Sequence, residues 1–153
     1  MYNTRPLTLV DSFEFTGDSG VEYQVTITLG DDYNFFYPYP HLECRQLILS
    51  SSNKDKFIGI DEEVGKTIAH GICNCVGKYP DSIFYYTCND EGSEPLTRLF
   101  SKWFTKYKSG SMQLIEDNFE INGVSLYTGL IINEDLPLSV SIIGHFKDIK
   151  NQL

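Results

Sequence analysis

The amino-terminal part of the chain alternates apolar and polar positions. Residues 21–29, "VEYQVTITL", place an apolar side chain at every second position, which is typical of a strand with one buried face. Residues 8–16 precede this run across the turn sequence "GDSG", so the two segments are predicted to pair as a hairpin. A third strand is predicted over residues 43–50, ahead of a polar loop at 50–56.

Apolar residues at helical spacing predict three helices. The first begins at Asp61, whose carboxylate can accept the first free amide protons, and runs to about Lys78. A second helix begins near Ser93 and Pro95 and runs to about Lys108, and a third occupies the carboxyl-terminal segment. The apolar faces of the three helices comprise, in chain order, Val64, Ile68, Ala69, Ile72, Cys75, Val76 and Tyr79; Leu96, Leu99, Phe100, Trp103, Phe104 and Tyr107; and Leu138, Ile142, Ile143, Phe146, Ile149 and Leu153.

Three further strands complete the predicted fold. Residues 82–88 form one strand, and residues 112–117 and 124–132 flank a turn as a second hairpin. The order is then β-β-β-α-β-α-β-β-α. This order predicts an α+β class, with a mainly antiparallel sheet of five to six strands and the three amphipathic helices on one face. Residues 1–153 are predicted to form a single domain.

The composition and charge of the chain indicate which class of protein it belongs to. The chain has 153 residues, of which 41% are hydrophobic and 22% charged, as in a globular domain with one sizeable core. No apolar run approaches the roughly 20 residues of a membrane helix, and no signal peptide is recognisable, so a cytoplasmic protein is predicted. The net charge is −9, and residues 1–44 hold seven acids against one base. This charge argues against nucleic acid or an anionic membrane as a partner.

The four cysteines are predicted to be free thiols, because a domain of this size does not need disulfides for stability. His70, Cys73 and Cys75 raise the question of a metal site. Positions two apart on a helix differ by about 200°, so Cys75 is expected to face the core and Cys73 to point away. His70 and Cys73 share a face, and they could supply two zinc ligands if a loop gave two more. The prediction is that the protein holds neither a metal nor a cofactor.

Basic residues recur every four positions on the second helix, at Arg98, Lys102 and Lys106, and Lys108 follows. An anion-binding stripe is one interpretation of this spacing. The preferred interpretation is that these bases stabilise the helix through its dipole, since Glu94 lies near the start of the helix and the bases lie in its last turns.

The segment "YNFFYPYPHLEC", residues 33–44, contains five aromatic rings and two prolines. Pro38 and Pro40 remove ladder donors, so a stiff and irregular strap is predicted here and not a core strand. Phe35 and Phe36 are expected to cap the domain's own core. The candidates for a patch that faces a partner, either a second copy of the chain or a small protein, are Tyr33, Tyr37 and Tyr39.

The stretch from Asp61 to Phe104 contains "DEEVGKTIAHGICNCV", a tyrosine-rich strand, "CNDEG" and "TRLFSKWF". With the amino-terminal "GVEYQV", this order is similar to a family of small uncharacterised proteins from Bacteroidetes. In that family an Asp-capped helix precedes a strand ending in Asp and a helix that carries Arg and Trp-Phe. The matching positions are Asp90, Arg98, Phe100, Trp103 and Phe104. The resemblance implies no activity, because the family is one of unknown function.

No nucleophile elbow, glycine-rich phosphate loop or recognisable catalytic pair is present in the sequence. The leading hypothesis is therefore a non-enzymatic protein–protein interaction or regulatory protein of a bacterial cytoplasm, because aromatic residues concentrate in interfaces. The alternative is a small enzyme or ligand-binding domain with a polar cleft near Asp90 and Arg98. These two side chains are predicted to approach each other or to hold the loop between them.

Overall fold

The structure is a computed structural model, and it describes residues 1–29, 43–52, 62–89, 94–108, 110–121, 123–137 and 139–148. Its elements are, in chain order, β1 (Arg5–Pro6), β2 (Phe13–Thr16), β3 (Glu22–Leu29), β4 (Glu43–Ser51), α1 (Glu62–Lys78), β5 (Ser82–Asn89), α2 (Glu94–Tyr107), β6 (Met112–Ile121), β7 (Val124–Asn133) and α3 (Ser139–Asp148). The predicted mixed α+β class is confirmed. Of the helices in these residues, none is long and apolar enough to cross a membrane.

In the described part of the chain, seven strands form one sheet in the order β1-β2-β3-β4-β5-β7-β6. Neighbouring strands are antiparallel except β4 and β5, which are parallel and are joined by the α1 crossover. The predicted mainly antiparallel sheet is therefore confirmed. The predicted number of five to six strands is wrong, because β1 has only two residues, one of them Pro6, and shows no alternating pattern.

The helices lie on both faces of the sheet, and the prediction of three helices on one face is wrong. Alternate residues of a strand point to opposite faces. On β5, Phe84 packs in the core that contains α1 and α2, whereas Ile83 and Tyr85 pack in the core that contains α3. Because β5 and its neighbour β7 are apolar on both faces, each face needs a covering helix.

The larger core lies between the sheet and the α1–α2 pair. Phe100 is fully buried and Trp103 is 6% exposed, so the predicted burial of both rings is confirmed. This core also contains Phe13, Phe15, Tyr23, Val25, Ile27, Leu47, Val64, Ile68, Ile72, Val76, Phe84, Tyr86, Phe104, Met112 and Ile131. The smaller core, on the α3 face, contains Ile83, Tyr85, Ile115, Leu130, Ile132, Ile142 and Phe146.

Two glycines of α1 leave space for aromatic rings from neighbouring elements. A Cβ atom at Gly65 would overlap the indole ring of Trp103 from α2, and a Cβ atom at Gly71 would overlap the ring of Phe13 from β2. Each glycine costs helix stability of up to about 1 kcal/mol relative to alanine. The close approach of two rings to α1 offsets this cost, because these rings are buried in the larger core.

Candidate functional site between two diverging strands

The parallel strands β4 and β5 pair at their amino ends and then separate. The pairing covers residues 43–46 of β4 and 82–85 of β5. β4 continues to Ser51 and β5 continues to Asn89, and in these described segments the two strands no longer pair. We call the opening between residues 47–51 and 86–89 the β4/β5 crevice.

The outer edges of both diverging segments stay in the sheet. β4 pairs with β3 as far as Ser51, and β5 pairs with β7 as far as Asn89. The backbone N–H and C=O groups of the two inner edges therefore face the crevice and not a neighbouring strand. A strand edge that faces an opening can bind an extended chain by strand addition, and five residues span an edge of about 16 Å. The carboxyl ends of parallel strands are also where open sheets most often bind ligands.

A polar pocket of about 290 Å³ adjoins the crevice, and its lining residues are Glu22, Gln24, Ser50, Ser51 and Ser52. Ser50 and Ser51 belong to the diverging segment of β4, so the pocket and the crevice share a wall. Gln24 and Ser50 are partners in the β3–β4 register, and both are exposed. They alternate with the buried Tyr23 and Val25, so the pocket opens on the face of the sheet that α1 and α2 leave uncovered.

The residues that line the pocket carry one carboxylate, one amide and three hydroxyl groups, all of which can accept hydrogen bonds. The Glu22 backbone N–H donates to Ser52 Oγ at 3.0 Å, and the Ser52 N–H donates to the Glu22 carbonyl at 2.9 Å. Gln24 Nε2 donates to Glu14 at 3.3 Å, which leaves its Oε1 as an acceptor. The five lining residues include a carboxylate but no Lys or Arg. This set of groups suits a small cation that carries several N–H donors.

Tyr86 is the first residue of β5 beyond the paired segment, and its side chain points away from the crevice. Its ring lies across Gly129 of β7, where a Cβ atom would overlap it. Its hydroxyl donates a hydrogen bond to Glu116 Oε1 on β6 at 3.2 Å. Phe100 of α2 contacts the same ring edge-on, with 5.5 Å between the ring centroids. One side chain therefore connects β5, β7 and β6.

A second group of polar side chains lies at the amino end of β4, away from the crevice. Asp11, in the turn before β2, has a φ of 69° and accepts hydrogen bonds from Lys78 Nζ at 2.8 Å and from Tyr79 OH at 2.6 Å. The Arg45 guanidinium lies 3.6 Å from the centre of the Tyr79 ring and binds Glu43 at 2.7 Å. Its Nε is buried, without a hydrogen-bond partner among the described residues. These contacts fasten the carboxyl end of α1 to the turn before β2 and to β4.

The contacts of Asp11 shift several pKa values. The hydrogen bonds from Lys78 and Tyr79 hold the pKa of Asp11 below its usual 3.8, and the same carboxylate raises the pKa of Lys78 and of Tyr79. Burial raises the pKa of the Cys75 thiol to about 11, and the negative charge of Asp11 adds to the effect. Cys75 is therefore a neutral thiol at physiological pH and a poor nucleophile.

Cys73 is buried, and the expectation that it points away from the core is wrong. It is 6% exposed, as is Cys75, because α1 is covered by α2 as well as by the sheet. Cys44, Cys73 and Cys75 are free thiols. Among the side chains that the structure describes, no three His, Cys, Asp or Glu residues are grouped so that they could hold a metal ion.

The bases at the end of α2 have partners within the chain. Lys106 Nζ donates to both carboxylate oxygens of Glu62, at 2.8 and 3.0 Å, and Tyr107 OH donates to the same carboxylate at 2.8 Å. These bonds lower the pKa of Glu62 and raise that of Lys106. Lys108 Nζ donates to the Met112 carbonyl at 3.0 Å. The contacts join the start of α1 to the end of α2.

The binding residues predicted from the sequence fall mostly outside the described part of the chain. Tyr33, Tyr37, Tyr39 and Asp90 lie in segments 30–42 and 90–93. Arg98 belongs to α2, but its side chain is outside the description. The approach of Asp90 to Arg98 and the role of the three tyrosines stay predictions.

None of the five pocket residues was a candidate from the sequence. Glu22 and Gln24 have the pattern of the wet face of a strand, and the serines at 50–52 have that of a polar loop. One signal was present: β4 is followed by a helix and another strand, and such a unit can bring parallel strands together with a ligand site at their carboxyl ends.

No protein-family model matches the sequence, and no curated protein is significantly similar to it. Solved structures do match. A chimera of the spermidine N-acetyltransferase SpeG from Vibrio cholerae and hSSAT has a TM-score of 0.44 and 8% identity; the match covers 80% of this chain and 66% of the chimera. Arabidopsis thaliana NAA60 in complex with acetyl-CoA has a TM-score of 0.42 and 13% identity, with 80% and 76% covered. The CoA-dependent acyl-homoserine lactone synthase MesI has a TM-score of 0.40 and 9% identity, with 98% and 77% covered.

These comparisons correct the functional hypothesis. The matching structures are enzymes by name, and this finding overturns the hypothesis of a non-enzymatic protein–protein interaction or regulatory protein. The likeness concerns the fold alone, so the activity of this chain has to be argued from its own strands. The resemblance to a Bacteroidetes family stays a prediction.

Proposed function

We propose that the chain is a small group-transfer enzyme that binds an acyl thioester in the β4/β5 crevice and an amine in the adjoining polar pocket. The observation that carries the proposal is the separation of β4 from β5 after four paired residues on each strand. The proposal keeps the enzyme alternative but moves its site from Asp90 and Arg98 to the diverging strands.

A thioester of coenzyme A suits the crevice because its pantetheine arm is an extended chain with two amide groups. Each amide has one N–H donor and one carbonyl acceptor, as a peptide does. Residues 47–51 and 86–89 offer matching backbone groups on their inner edges. The arm would bind as a short additional strand between β4 and β5.

An amine suits the pocket because Glu22 supplies a carboxylate, and Gln24 and the three serines supply further acceptors. The net charge of −9 also favours the approach of a cation. Since Ser50 and Ser51 border both the pocket and the crevice, the two ligands would meet at the carboxyl end of β4.

The reaction is a direct transfer between the two ligands. The neutral amine nitrogen attacks the thioester carbonyl carbon, so a C–N bond forms and the C–S bond breaks. The starting ammonium gives up two protons, of which one goes to the leaving sulfur and the other to solvent. The products are an amide and a free thiol, and no external oxidant or reductant is needed.

Release of the free thiol gives the test. The full chain is incubated with acetyl-CoA and a panel of primary amines and diamines, and the thiol is measured with a colorimetric reagent against a reaction without amine. The proposal predicts amine-dependent release. Acetyl-CoA binding without turnover for any amine would favour a ligand-binding domain, and the lack of both binding and turnover would refute the proposal.

The variant Glu22→Gln separates the pocket from the crevice. We expect it to raise KM for the amine by about tenfold, the loss of one charge-assisted contact worth about 1.4 kcal/mol, while the Kd for acetyl-CoA stays unchanged. Glu134→Gln is the matched control, because Glu134 is an exposed carboxylate in the turn before α3, outside the pocket. An equal effect of the two changes would show that Glu22 acts only through net charge.

A further inference from the structure

A large side chain stands at the point where the crevice opens. Tyr86 is the first residue of β5 after the pairing with β4 ends at Tyr85. It is 5% exposed and belongs to the larger core, so its ring faces the α1–α2 side of the sheet. On that side a tyrosine ring has two neighbouring strands to lie across, β7 and β4.

The ring lies on the β7 side, where residue 129 has no side chain. Gly129 is the register partner of Tyr86, and a Cβ atom at that position would overlap Cζ, Cε1 and the hydroxyl of the tyrosine. The Tyr86 hydroxyl donates a hydrogen bond to Glu116 Oε1 on β6, with 3.2 Å between the two oxygens, and this bond holds the far end of the ring. Phe100 covers it from α2.

We propose that Gly129 is a positioning residue, which keeps the ring of Tyr86 on β7 and out of the β4/β5 crevice and so leaves room for the acyl donor. The inference rests on the proposed function for the identity of the ligand, but the position of the ring can be measured without any ligand. A methyl group at residue 129 removes the space on β7. The other neighbour on this face of the sheet is the diverging segment of β4, and we expect the ring to turn toward it.

The first experiment compares backbone amide NMR spectra of the ligand-free chain and of Gly129→Ala. An aromatic ring that turns toward β4 changes the amide shifts of residues 47–51. We expect these changes in Gly129→Ala and expect them to vanish when Tyr86→Leu is added. Gly144→Ala is the matched control, because a Cβ atom there meets open space. Changes confined to β6 and β7 would overturn the proposal.

The second experiment measures the Kd for acetyl-CoA in the same variants. Gly129→Ala is expected to weaken binding by about tenfold or more, and Tyr86→Leu in that background is expected to restore it. Tyr86→Leu alone keeps the backbone edge of the crevice and changes only a side chain that lies on β7, so it is expected to bind acetyl-CoA within about threefold of the wild type. A folded Tyr86→Leu protein that no longer binds would overturn the proposal, because the ring would then be part of the donor site.

The two experiments distinguish the two proposals. If the wild-type chain binds no acetyl-CoA, the proposed function fails, and the amide shifts still decide where the ring lies. If Gly129→Ala does not fold, Tyr86→Leu alone tests the positioning proposal. Its Kd for acetyl-CoA is expected to match that of the wild type, and a loss of binding would overturn the proposal. Loss of binding in Gly129→Ala that Tyr86→Leu does not rescue would also contradict the positioning role.

Discussion

The indole ring of Trp103 occupies the space in which a side chain at residue 65 would lie, so Gly65 and Trp103 form one direct contact between α1 and α2. The contact lies in the larger core, where Trp103 is 6% exposed. At the same end of α1, Glu62 accepts hydrogen bonds from Lys106 and Tyr107 of α2. Helix packing here depends on the absence of a side chain at one position.

Gly65→Ala should therefore destabilise the protein even though alanine favours helices. Overpacking a core position costs about 1–3 kcal/mol, which exceeds the gain of up to about 1 kcal/mol in helix propensity. Gly77→Ala, in the same helix but with open space around the added methyl group, should leave stability unchanged or raise it. Urea unfolding of both variants checks this, and equal midpoints would show that Trp103 moves aside without cost.

Trp103→Ala should remove a large part of the stability of the domain. Truncation of a buried tryptophan costs about 3–5 kcal/mol, a large part of the 5–15 kcal/mol that is typical of a whole domain. Gly65 has no side chain to fill the cavity. Thermal unfolding followed by circular dichroism measures the loss, and an unchanged melting temperature would show that α2 docks by another face.

Acid should weaken the contact of Asp11 with Lys78 and Tyr79. The folded pKa of Asp11 lies below the unfolded value, so its contribution to stability is complete above about pH 4 and is lost as the pH falls through the folded pKa. Asp11→Asn removes the charge and still tolerates the left-handed backbone at this position. The wild type should exceed Asp11→Asn in stability by about 1 kcal/mol at neutral pH, and the difference should shrink in acid.

Urea unfolding of both proteins at several pH values between 2.5 and 7, chosen to bracket the usual Asp pKa of about 3.9, checks this prediction. Tyr79→Phe serves as the control, because it keeps the carboxylate and Lys78 but removes one of the two donors. At neutral pH, Tyr79→Phe should lower the free energy of unfolding by less than Asp11→Asn does. A difference between wild type and Asp11→Asn that stays constant with pH would contradict the account.

The thiols should differ in their reaction with iodoacetamide. Cys75 is buried, and burial raises its pKa to about 11, so at pH 8 it should stay unmodified in the folded chain. Cys73 is equally buried, whereas Cys44 is partly exposed and should react before Cys73 and Cys75. Peptide mapping by mass spectrometry, with and without urea, separates the sites. Modification of Cys75 at the rate of Cys44 in the folded chain would contradict the burial.

Local sequence patterns predict most of the strands and helices. They predict less well how these elements are arranged in the fold. The alternation around Tyr23 and Val25 and the helical spacing around Trp103 each depend on one buried face, which the sequence displays directly. β5 is apolar on both faces, as Ile83 and Phe84 show, and no local pattern says which helix covers which face. The second face, with α3, was therefore missed.

The crevice and pocket could not be predicted for a related reason. Glu22 and Ser51 lie 29 positions apart in the sequence and meet only because β3 and β4 pair in one particular register. The crevice depends on where the β4–β5 pairing ends, which is set by the packing of whole strands. Gly129 gave no local signal either, because its role depends on its register partner Tyr86.

The most direct test of the proposed function is a titration of the ¹⁵N-labelled chain with acetyl-CoA, followed by backbone amide chemical shifts. We expect saturable shifts concentrated in residues 47–51 of β4 and 86–89 of β5, the two inner edges of the β4/β5 crevice. Amides near Asp11 and Tyr79, at the other end of β4, should not move. No shifts at saturating ligand, or shifts that cluster away from these two segments, would contradict the claim that the diverging strands bind an acyl donor.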